Sequence, residues 1–333
     1  MTTITISSGR TFKSEPGEIL LDAASRGGVT IGYSCRTGRC SSCKSKVISG
    51  STARLQDELG LNAEEKSAGW ILSCVRTAES DLALEVDDLS ELALPEVKTA
   101  PCRIQALERV APDVMRVTLR LPPANSFPFY PGQYIDVLGA GGVRRSYSLA
   151  NAPAADKLLE LHVRAVPGGA MSEYWFGAAE VNDLLRLNGP LGTFFLRGCA
   201  GMDVIFLATG TGIAPVKAML EGIDRLPAEE RPRSVKVYWG GRTLADHYLD
   251  VASMPNADRY IPVLSRAADD WLGARGHVQE VLMADVADFS NALVYACGSD
   301  LMIHSARSAL IGAGLPPRRF FSDAFVSSAS VAT

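Results

Sequence analysis

Four cysteines constrain the fold of this chain more than any other feature of its sequence. Cys35, Cys40 and Cys43 lie within GYSCRTGRCSSC, with four and then two residues between them, and Cys74 follows in ILSCVR. Two iron atoms need four thiolates that converge on one small volume, and this spacing is one that holds a [2Fe–2S] cluster. A tight loop supplies three thiolates and a distant strand end supplies the fourth. We therefore predict that these four cysteines are metal ligands.

A zinc site and a set of buried free thiols are the two alternatives for these cysteines. Structural zinc sites usually pair two C-x2-C elements, whereas this group contains only the one at Cys40–Cys43. The small Ser41 and Ser42 allow backbone amides to approach the sulfurs, and Gly38 allows the loop to turn. Because the seven cysteines are odd in number and four are grouped, metal is favoured over disulfides. Cys102 and Cys199 are expected to be ordinary buried residues.

Length and charge exclude some classes of protein. A chain of 333 residues exceeds one compact core, which indicates two or three domains. The net charge of −4 offers no support for nucleic-acid binding. The N-terminal MTTITISSGR has no apolar signal core, and glycines, Pro215 and Lys217 interrupt the apolar stretch from Val204. We expect a cytoplasmic protein without a membrane span.

Three segments differ in their periodicity. Residues 1–93 begin with the alternating TITI, continue with a helical pattern over Pro16–Arg26 and end with the alternating LALEV. Residues 94–101 contain two prolines and read as a linker. Residues 102–197 contain regularly spaced strand patterns, which predicts an antiparallel barrel. In residues 198–333, strand and helix patterns alternate, which predicts a doubly wound parallel sheet.

The barrel segment contains two motifs that could bind a ligand with a phosphate group and an aromatic ring. In RRSYSLANAP, Arg145 can pair with a pyrophosphate, Tyr147 offers a flat face for a ring, and Ser148 offers a hydroxyl group. In VPGGAMSEYW, a glycine turn that includes Gly169 leads into a short helix, and Ser172 is predicted as its N-cap.

The last segment contains two glycine motifs at predicted strand ends. VIFLATGTGIAP places Gly210, Thr211 and Gly212 after a buried strand, with Pro215 near the first helical position. VYACGSDLM places Cys297 and Gly298 at the end of another strand. Glycines at the carboxyl edge of a parallel sheet let backbone amides approach a ligand.

These motifs together resemble two known families. CRTGRCSSC is nearly identical to the cluster loop of plant-type ferredoxins, and the resemblance covers the whole first segment. R-x-Y-S at Arg145, G-T-G-x-A-P at Gly210 and C-G-x-x-x-M at Cys297 resemble the ferredoxin–NADP⁺ reductase superfamily. The resemblance implies a β-grasp [2Fe–2S] domain, an antiparallel β-barrel domain that binds FAD and a doubly wound domain that binds NAD(P).

The resemblance also implies roles for particular residues. Ser148 and Cys297 would be catalytic, beside the reactive flavin nitrogen and the site of hydride transfer. Cofactor-binding residues would also include Phe325 on the terminal strand, with Asp323 as a further candidate near the flavin. NADH is expected rather than NADPH, although Arg266 would suit a 2′-phosphate. The full cofactor-binding set is Arg145, Tyr147, Ser148, Gly169, Ser172, Gly210, Thr211, Gly212, Cys297, Gly298 and Phe325.

The resemblance implies an electron-transfer reductase with a protein partner. Electrons would pass from NADH through FAD and the cluster to a redox partner enzyme. One expected partner is a sugar-nucleotide dehydrase of 3,6-dideoxyhexose (O-antigen) synthesis, and the other is an oxygenase component, since both groups of reductases share these modules. A non-catalytic electron carrier or scaffold is a third reading, which the three intact motifs disfavour.

Overall fold

The computed structural model describes residues 1–325, which form two compact units. The first unit contains Met1–Leu94 together with the described residues from Ser322 onward. The second unit contains Pro95–Phe321. The predicted barrel and parallel-sheet segments therefore lie in the same unit.

The first unit is a mixed sheet with a short helix against it. The sheet has the order β2-β1-β7-β3-β5, in which β1 is antiparallel to β2 and parallel to β7. The helix α1 (Leu20–Arg26) buries its leucines and alanines in the core of this unit. The strands and the second helix are β1 (Thr2–Ile6), β2 (Thr11–Ser14), β3 (Lys44–Ser49), β4 (Thr52–Arg54), β5 (Trp70–Leu72), β6 (Arg76–Ala78), β7 (Leu82–Glu85) and α2 (Ala63–Ser67).

The first helix is shorter than its sequence pattern predicts. The pattern extends over Pro16–Arg26, whereas α1 begins at Leu20. Gly17 has a φ of +76°, and Ile19 is extended and forms a bridge with Thr77. The segment before Leu20 therefore pairs with a neighbouring strand instead of extending the helix.

The first half of the second unit is a six-stranded antiparallel barrel. Its strand order is β11-β10-β13-β8-β9-β12, and a bridge between Leu149 and Leu161 joins the two outer strands. Its core is formed by inward-facing aliphatic side chains and Trp175. Its elements are β8 (Lys98–Ala111), β9 (Val114–Arg120), β10 (Tyr134–Leu138), β11 (Arg144–Ser148), β12 (Leu158–Arg164), α3 (Ala170–Glu173), a π-helical turn (Tyr174–Ala178) and β13 (Leu184–Leu191).

The predicted linker is partly a strand. Residues 94–97 lie outside regular structure, but β8 begins at Lys98 and contains Pro101. Pro101 pairs with Arg186 of β13, while the pairing of β8 with β9 begins only at Arg103. Proline lacks a backbone N–H, and it is tolerated here because one edge of the strand is still unpaired at that position.

The second half of this unit confirms the predicted parallel sheet. Its strand order is β17-β16-β15-β14-β18-β19, with β14 at the centre, parallel to both β15 and β18. Between β14 and β18 the order reverses, so this edge is the usual place for a ligand. The elements are β14 (Asp203–Thr209), α4 (Ile213–Asp224), β15 (Ser234–Gly241), β16 (Arg259–Leu264), β17 (Ala274–Arg275), α5 (Val278–Asp285), β18 (Ala292–Gly298), α6 (Asp300–Gly312) and β19 (Phe320–Ala324). The residues of β19 from Ser322 onward are the ones that group with the first unit. Among residues 1–325, no helix is both long and apolar enough to cross a lipid bilayer.

The barrel core gives a direct test of the fold. Leu161 is fully buried, whereas Leu184, also in a barrel strand, is 64% exposed. Leu161→Ala should lower the free energy of unfolding by about 2–5 kcal/mol, because it leaves a cavity among well-packed side chains. Leu184→Ala is the matched control and should change it by less than about 0.5 kcal/mol. Urea unfolding followed by tryptophan fluorescence measures both values, and equal effects would contradict this assignment of the core.

Candidate functional site

The four cysteines form two hydrogen-bonded pairs, Cys35 with Cys40 and Cys43 with Cys74. Cys40, Cys43 and Cys74 are buried, while Cys35 is partly exposed. Within residues 1–325, no three or more metal-ligating side chains converge as they would around a single ion. Two pairs of thiols suit two irons with two protein ligands each, and they count against a four-ligand zinc site.

Hydrogen bonds to sulfur favour the thiolate form that a metal requires. The side chains of Cys40 and Thr37 donate hydrogen bonds to the sulfur of Cys35, and these bonds lower the pKa of Cys35 to about 5, although its partial burial acts in the opposite direction. The amide nitrogens of Thr37 and Cys40 both lie 3.4 Å from this sulfur. In the second pair, the hydrogen bond from Cys43 lowers the pKa of Cys74. The donors Cys40 and Cys43 have raised pKa values, because each donates to its partner and is buried.

The cysteine loop has an unusual backbone that a neighbouring segment holds in place. Arg36, Gly38 and Ser41 have φ values of +56°, +74° and +61°. A Cβ atom at Gly38 would lie 2.4 Å from the carbonyl oxygen of Asp57, so glycine is needed for contact as well as conformation. The amide of Gly60 donates to the carbonyl of Gly38 at 2.8 Å, which ties residues 57–60 to the loop.

A buried ion pair, which the sequence analysis missed, fixes this neighbouring segment. Glu58 is 2% exposed, and its carboxylate accepts hydrogen bonds from the Arg76 guanidinium at 2.6 and 3.1 Å. The same carboxylate accepts the amide of Leu72 at 2.8 Å. Leu72 and Arg76 flank Cys74, so Glu58 connects the fourth cysteine to the segment that holds the loop. A glutamate between Asp57 and Leu59 in sequence gave no signal of this role.

Three hydrogen bonds connect the cysteine loop to residues of the terminal strand that belong to the first unit. The hydroxyl of Ser322 donates to the carbonyl of Cys40 at 2.8 Å, and the hydroxyl of Ser42 donates to the carbonyl of Ser322 at 2.6 Å. The hydroxyl of Ser34 donates to the carboxylate of Asp323. The sequence analysis expected Asp323 near a flavin, which stays a prediction. Its contact in the structure is with the residue before Cys35.

The R-x-Y-S residues lie on β11 of the barrel. Ser148 is buried, whereas Arg145 and Tyr147 are partly exposed. The hydroxyl of Tyr147 accepts a hydrogen bond from the Trp175 indole at 3.0 Å, and the two rings meet edge to face. Burial raises the pKa of Tyr147 to about 12, so its hydroxyl stays protonated at neutral pH. Trp175 therefore holds the tyrosine ring in one orientation, as a ring platform requires.

The glycine turn is present, but the role of Ser172 differs from the prediction. The short helix α3 begins at Ala170 with Gly169 as its N-cap, and Ser172 is the third helical residue. The hydroxyl of Ser172 accepts the amide of Val166 at 2.9 Å. It therefore closes the turn that leads into the helix instead of capping the helix. The pattern S-E-Y-W looked like a cap because serine is common there, but the helix begins earlier.

The two glycine motifs of the parallel sheet meet at its carboxyl edge. The strands β14 and β18 pair so that Ala208 lies opposite Cys297. A Cβ atom at Gly212 would lie 2.3 Å from the carbonyl oxygen of Cys297, and one at Gly298 would lie 2.1 Å from the Thr209 hydroxyl. Both positions therefore admit only glycine. Pro215 is the third residue of α4, two positions later than predicted, because the helix begins at Ile213.

The helix α4 joins this edge to the barrel strand that carries Ser148. The ammonium group of Lys217 donates to the carbonyl of Ala150 at 3.0 Å, two residues after Ser148. Glu221, one turn further, accepts from Lys217 at 2.7 Å and from the Ala152 amide at 2.9 Å. The glycine loop that precedes α4 is thus held in register with the end of β11. Within the second unit, the predicted flavin and nicotinamide residues lie on connected elements.

A buried polar network supports this connection. His162 lies 2.7 Å from Glu160 through Nε2 and 3.0 Å from the Tyr248 hydroxyl through Nδ1. Burial lowers the pKa of His162, which is therefore neutral at pH 7, and Nε2 carries the proton because a carboxylate can only accept. Burial opposes ionisation of Glu160, but the His162 hydrogen bond and the charge of Lys217 lower its pKa overall. Lys217 and Glu160 are 3.2 Å apart, so these partly buried charges are paired.

Arg164 connects the barrel to the glycine loop at Gly210–Gly212. Arg164 at the end of β12 donates to Asp246 at 2.8 Å and lies 2.9 Å from Asp113. A Cβ atom at Gly210 would lie 2.5 Å from this guanidinium. The sequence pattern LHVR gave a strand but not this contact. Phe325 is partly exposed and Arg266 is exposed, and their ligand roles stay predictions.

Comparisons with known families agree with this division of the chain. A 2Fe-2S iron-sulfur cluster binding domain matches residues 4–79, an oxidoreductase FAD-binding domain matches residues 101–196, and an oxidoreductase NAD-binding domain matches residues 206–308. The predicted order of three modules and their three cofactors is thereby confirmed.

Individual relatives match over almost the whole chain. The CDP-6-deoxy-L-threo-D-glycero-4-hexulose-3-dehydrase reductase of Yersinia pseudotuberculosis is 41% identical and covers 96% of this chain and 97% of its own. The xylene/toluene monooxygenase electron transfer component XylA of Pseudomonas putida is 32% identical, with coverages of 95% and 91%. The crystal structure of the Amycolatopsis cytochrome P450 reductase GcoB superimposes with a TM-score of 0.75 at 31% identity and covers 98% of this chain and 99% of its own.

The four cysteines lie within the matched iron–sulfur domain, the R-x-Y-S strand lies within the matched FAD-binding domain, and the two glycine motifs lie within the matched NAD-binding domain. The chain belongs to the NAD(P)H-dependent iron–sulfur flavoprotein reductases, which join a [2Fe–2S] domain, a FAD-binding domain and an NAD-binding domain in one polypeptide.

Proposed function

We propose that this reductase supplies electrons from NADH to a sugar-nucleotide 3-dehydrase, the CDP-4-keto-6-deoxyhexose 3-dehydrase of 3,6-dideoxyhexose (O-antigen) synthesis. The observation that carries the proposal is the 41% identity, over nearly the whole of both chains, to a reductase named for that dehydrase. The identity to the monooxygenase component XylA is 32% over a similar length. The difference favours the dehydrase as the electron acceptor.

Three separate sets of residues would hold the three cofactors. Cys35, Cys40, Cys43 and Cys74 would hold the cluster, with amide donors already directed at the sulfurs. Arg145, Tyr147, Ser148, Gly169 and Ser172 would hold FAD, and Gly210, Thr211, Gly212, Cys297 and Gly298 would hold the nicotinamide. When bound, the flavin accepts electrons in pairs from NADH, and the cluster releases them one at a time.

The protein's own contribution is positioning and the control of charge. Lys217 and Glu221 fix the segment after Ser148 relative to the glycine loop, so the two ligand sites keep one spacing. Cys297 is fully buried at the sheet edge, beside the loop of Gly210–Gly212. Ser148 and Cys297 are the groups that we place at the reacting atoms. His162 stays neutral and places no charge of its own in the buried network.

The choice of NADH rests on the loop after β16. Ser265 and Arg266 are exposed there, but Asp269 and Asp270 follow closely and are also exposed. The two carboxylates would repel the 2′-phosphate of NADPH. We expect this repulsion to outweigh the attraction of the single arginine.

A reconstituted system tests the partner. Purified reductase, the 3-dehydrase with its pyridoxamine cofactor, and the CDP-6-deoxy-4-hexulose substrate are mixed with NADH or NADPH, and coenzyme oxidation is followed at 340 nm. We expect oxidation that depends on both the dehydrase and the sugar, and that is faster with NADH. Reduction of cytochrome c without any turnover of the dehydrase system would retain the reductase but remove this partner.

A reductase component of an aromatic-ring dioxygenase or a monooxygenase is the second candidate function. The similarity to XylA and the structural match to a cytochrome P450 reductase favour it as an alternative, because both match more than nine-tenths of this chain. Coupling to an oxygenase component, with hydroxylated product formed in place of the deoxysugar, would select it. A non-catalytic carrier is not compatible with the FAD-binding and NAD-binding domains that the chain contains.

The cluster ligands are tested by Cys40→Ser. This variant should retain flavin reduction by NADH, but its rate of cytochrome c reduction should fall by at least about 100-fold. Loss of a metal ligand should cost more than loss of a residue that only hydrogen-bonds to a ligand, which typically costs about 10- to 100-fold. Cys102→Ser is the matched control, since Cys102 is also buried but lies in the barrel core. Stopped-flow absorbance measures the first step and cytochrome c reduction the second. Loss of both steps in Cys40→Ser would contradict separate sites for the two cofactors.

The flavin platform is tested by Tyr147→Ala. Removal of the ring should weaken FAD binding by about 2- to 13-fold, which corresponds to the 0.5–1.5 kcal/mol of an aromatic contact. Tyr147→Phe keeps the ring and loses only the hydroxyl that accepts from Trp175. FAD content after gel filtration and titration of the apoprotein give the affinities. Equal retention in Tyr147→Ala and the parent protein would remove tyrosine from the flavin site.

A further inference from the structure

The terminal strand β19 makes contacts with the cysteine loop that have no part in the functions proposed above. Ser322 and Asp323 lie in β19, and the residues from Ser322 onward group with the first unit, which carries the four cysteines. Both residues are buried, with exposures of 7% and 5%, and Ser34 is fully buried. Polar side chains buried to this degree must be hydrogen-bonded, and their partners are in the cysteine loop.

The contacts fall beside three of the four cysteines. Ser34 precedes Cys35 and donates to Asp323, while Ser42 precedes Cys43 and donates to the carbonyl of Ser322. The third contact is to the carbonyl of Cys40 itself, which accepts from the hydroxyl of Ser322 at 2.8 Å. The side chains of Ser322 and Asp323 therefore contact the cysteine loop at two places, Cys40 and Ser34.

The position of these bonds matters because the loop is conformationally costly. Ser41 has a φ of +61°, a conformation that non-glycine residues rarely adopt, and Arg36 has a φ of +56°. Such conformations are energetically unfavourable and persist only where surrounding contacts hold them. The peptide between Cys40 and Ser41 is planar, so a bond that fixes its carbonyl also fixes the direction of the Ser41 amide. Ser322 thus acts on the peptide that enters the strained residue.

We propose that Ser322 and Asp323 are positioning residues of the cluster site, which hold the Ser34–Ser42 loop in the conformation that retains the [2Fe–2S] cluster. The proposal rests on the cluster ligands proposed above. It adds a third part to the site, besides the loop and the strand end at Cys74. It makes retention of the cluster depend on a segment about 280 residues away in sequence.

The proposal is tested with Ser322→Ala and Asp323→Asn in the complete holoenzyme. Ser322→Ala removes the donor to Cys40 but keeps the backbone carbonyl that Ser42 uses, and Asp323→Asn keeps an acceptor but removes the charge. Ser234→Ala is the matched control, because its hydroxyl also makes one hydrogen bond, to Asp203, in the second unit. Bleaching of the cluster absorbance by an iron chelator gives the rate of cluster loss, and the electron paramagnetic resonance spectrum of the reduced protein reports the ligand geometry.

We expect cluster loss to accelerate about fivefold in Ser322→Ala, the loss of one net hydrogen bond, with a shifted resonance spectrum. NADH–ferricyanide turnover, which needs only the flavin, should stay unchanged in Ser322→Ala and in the Ser234→Ala control. If Ser322→Ala does not fold, Ser34→Ala removes the Asp323 contact from the other side without altering β19. Parent-like cluster loss and spectra in Ser322→Ala and Ser34→Ala would overturn the proposal. Absence of iron and sulfide from the parent protein would instead overturn the proposed function.

Discussion

The convergence of four thiols in two pairs is the constraint on which the first unit depends. Thiolates in a buried place are unfavourable unless hydrogen bonds or a metal stabilise their charge. The loop meets this demand with amides directed at the sulfur of Cys35 and with three residues at positive φ. Those conformations are in turn held by the segment around Gly60 and by the Glu58–Arg76 ion pair. The polypeptide around the cysteines is therefore arranged for a ligand rather than for its own packing.

In the second unit, the constraint is the distance between two ligand sites, one on the barrel and one on the parallel sheet. A barrel strand and a parallel sheet have no common register, and the chain connects them through side chains of α4. Lys217 and Glu221 bind backbone groups after β11, so the helix that follows the glycine loop also determines the position of Ser148. A neutral His162 and the paired charges of Glu160 and Lys217 make this connection polar without leaving a buried charge uncompensated.

The sequence predicted those features that depend on local patterns. The four cysteines, the R-x-Y-S strand and the two glycine motifs are each short in sequence, and the structure places them at a loop, a barrel strand and one sheet edge. The start of α1 and the N-terminal end of β8 were wrong because pairing with distant strands decides them, as for Ile19 and Pro101. Glu58, Lys217 and Ser322 were missed for a similar reason. Each acts on a partner far along the chain, and single charged or hydroxyl residues occur too often for their identity to be informative.

The bond between Ser322 and Cys40 has a consequence for the order in which the protein is made. Ser322 follows Leu94, the last residue of the first segment of its unit, by 228 residues (322 minus 94). At about 5–20 residues per second on the ribosome, Ser322 is synthesised roughly 11–46 s after the first segment, which contains the cysteine loop, is complete. During that interval the cysteine loop lacks the three hydrogen bonds that it makes with Ser322 and Asp323. The full set of hydrogen bonds to the cysteine loop therefore forms only after β19 has been synthesised.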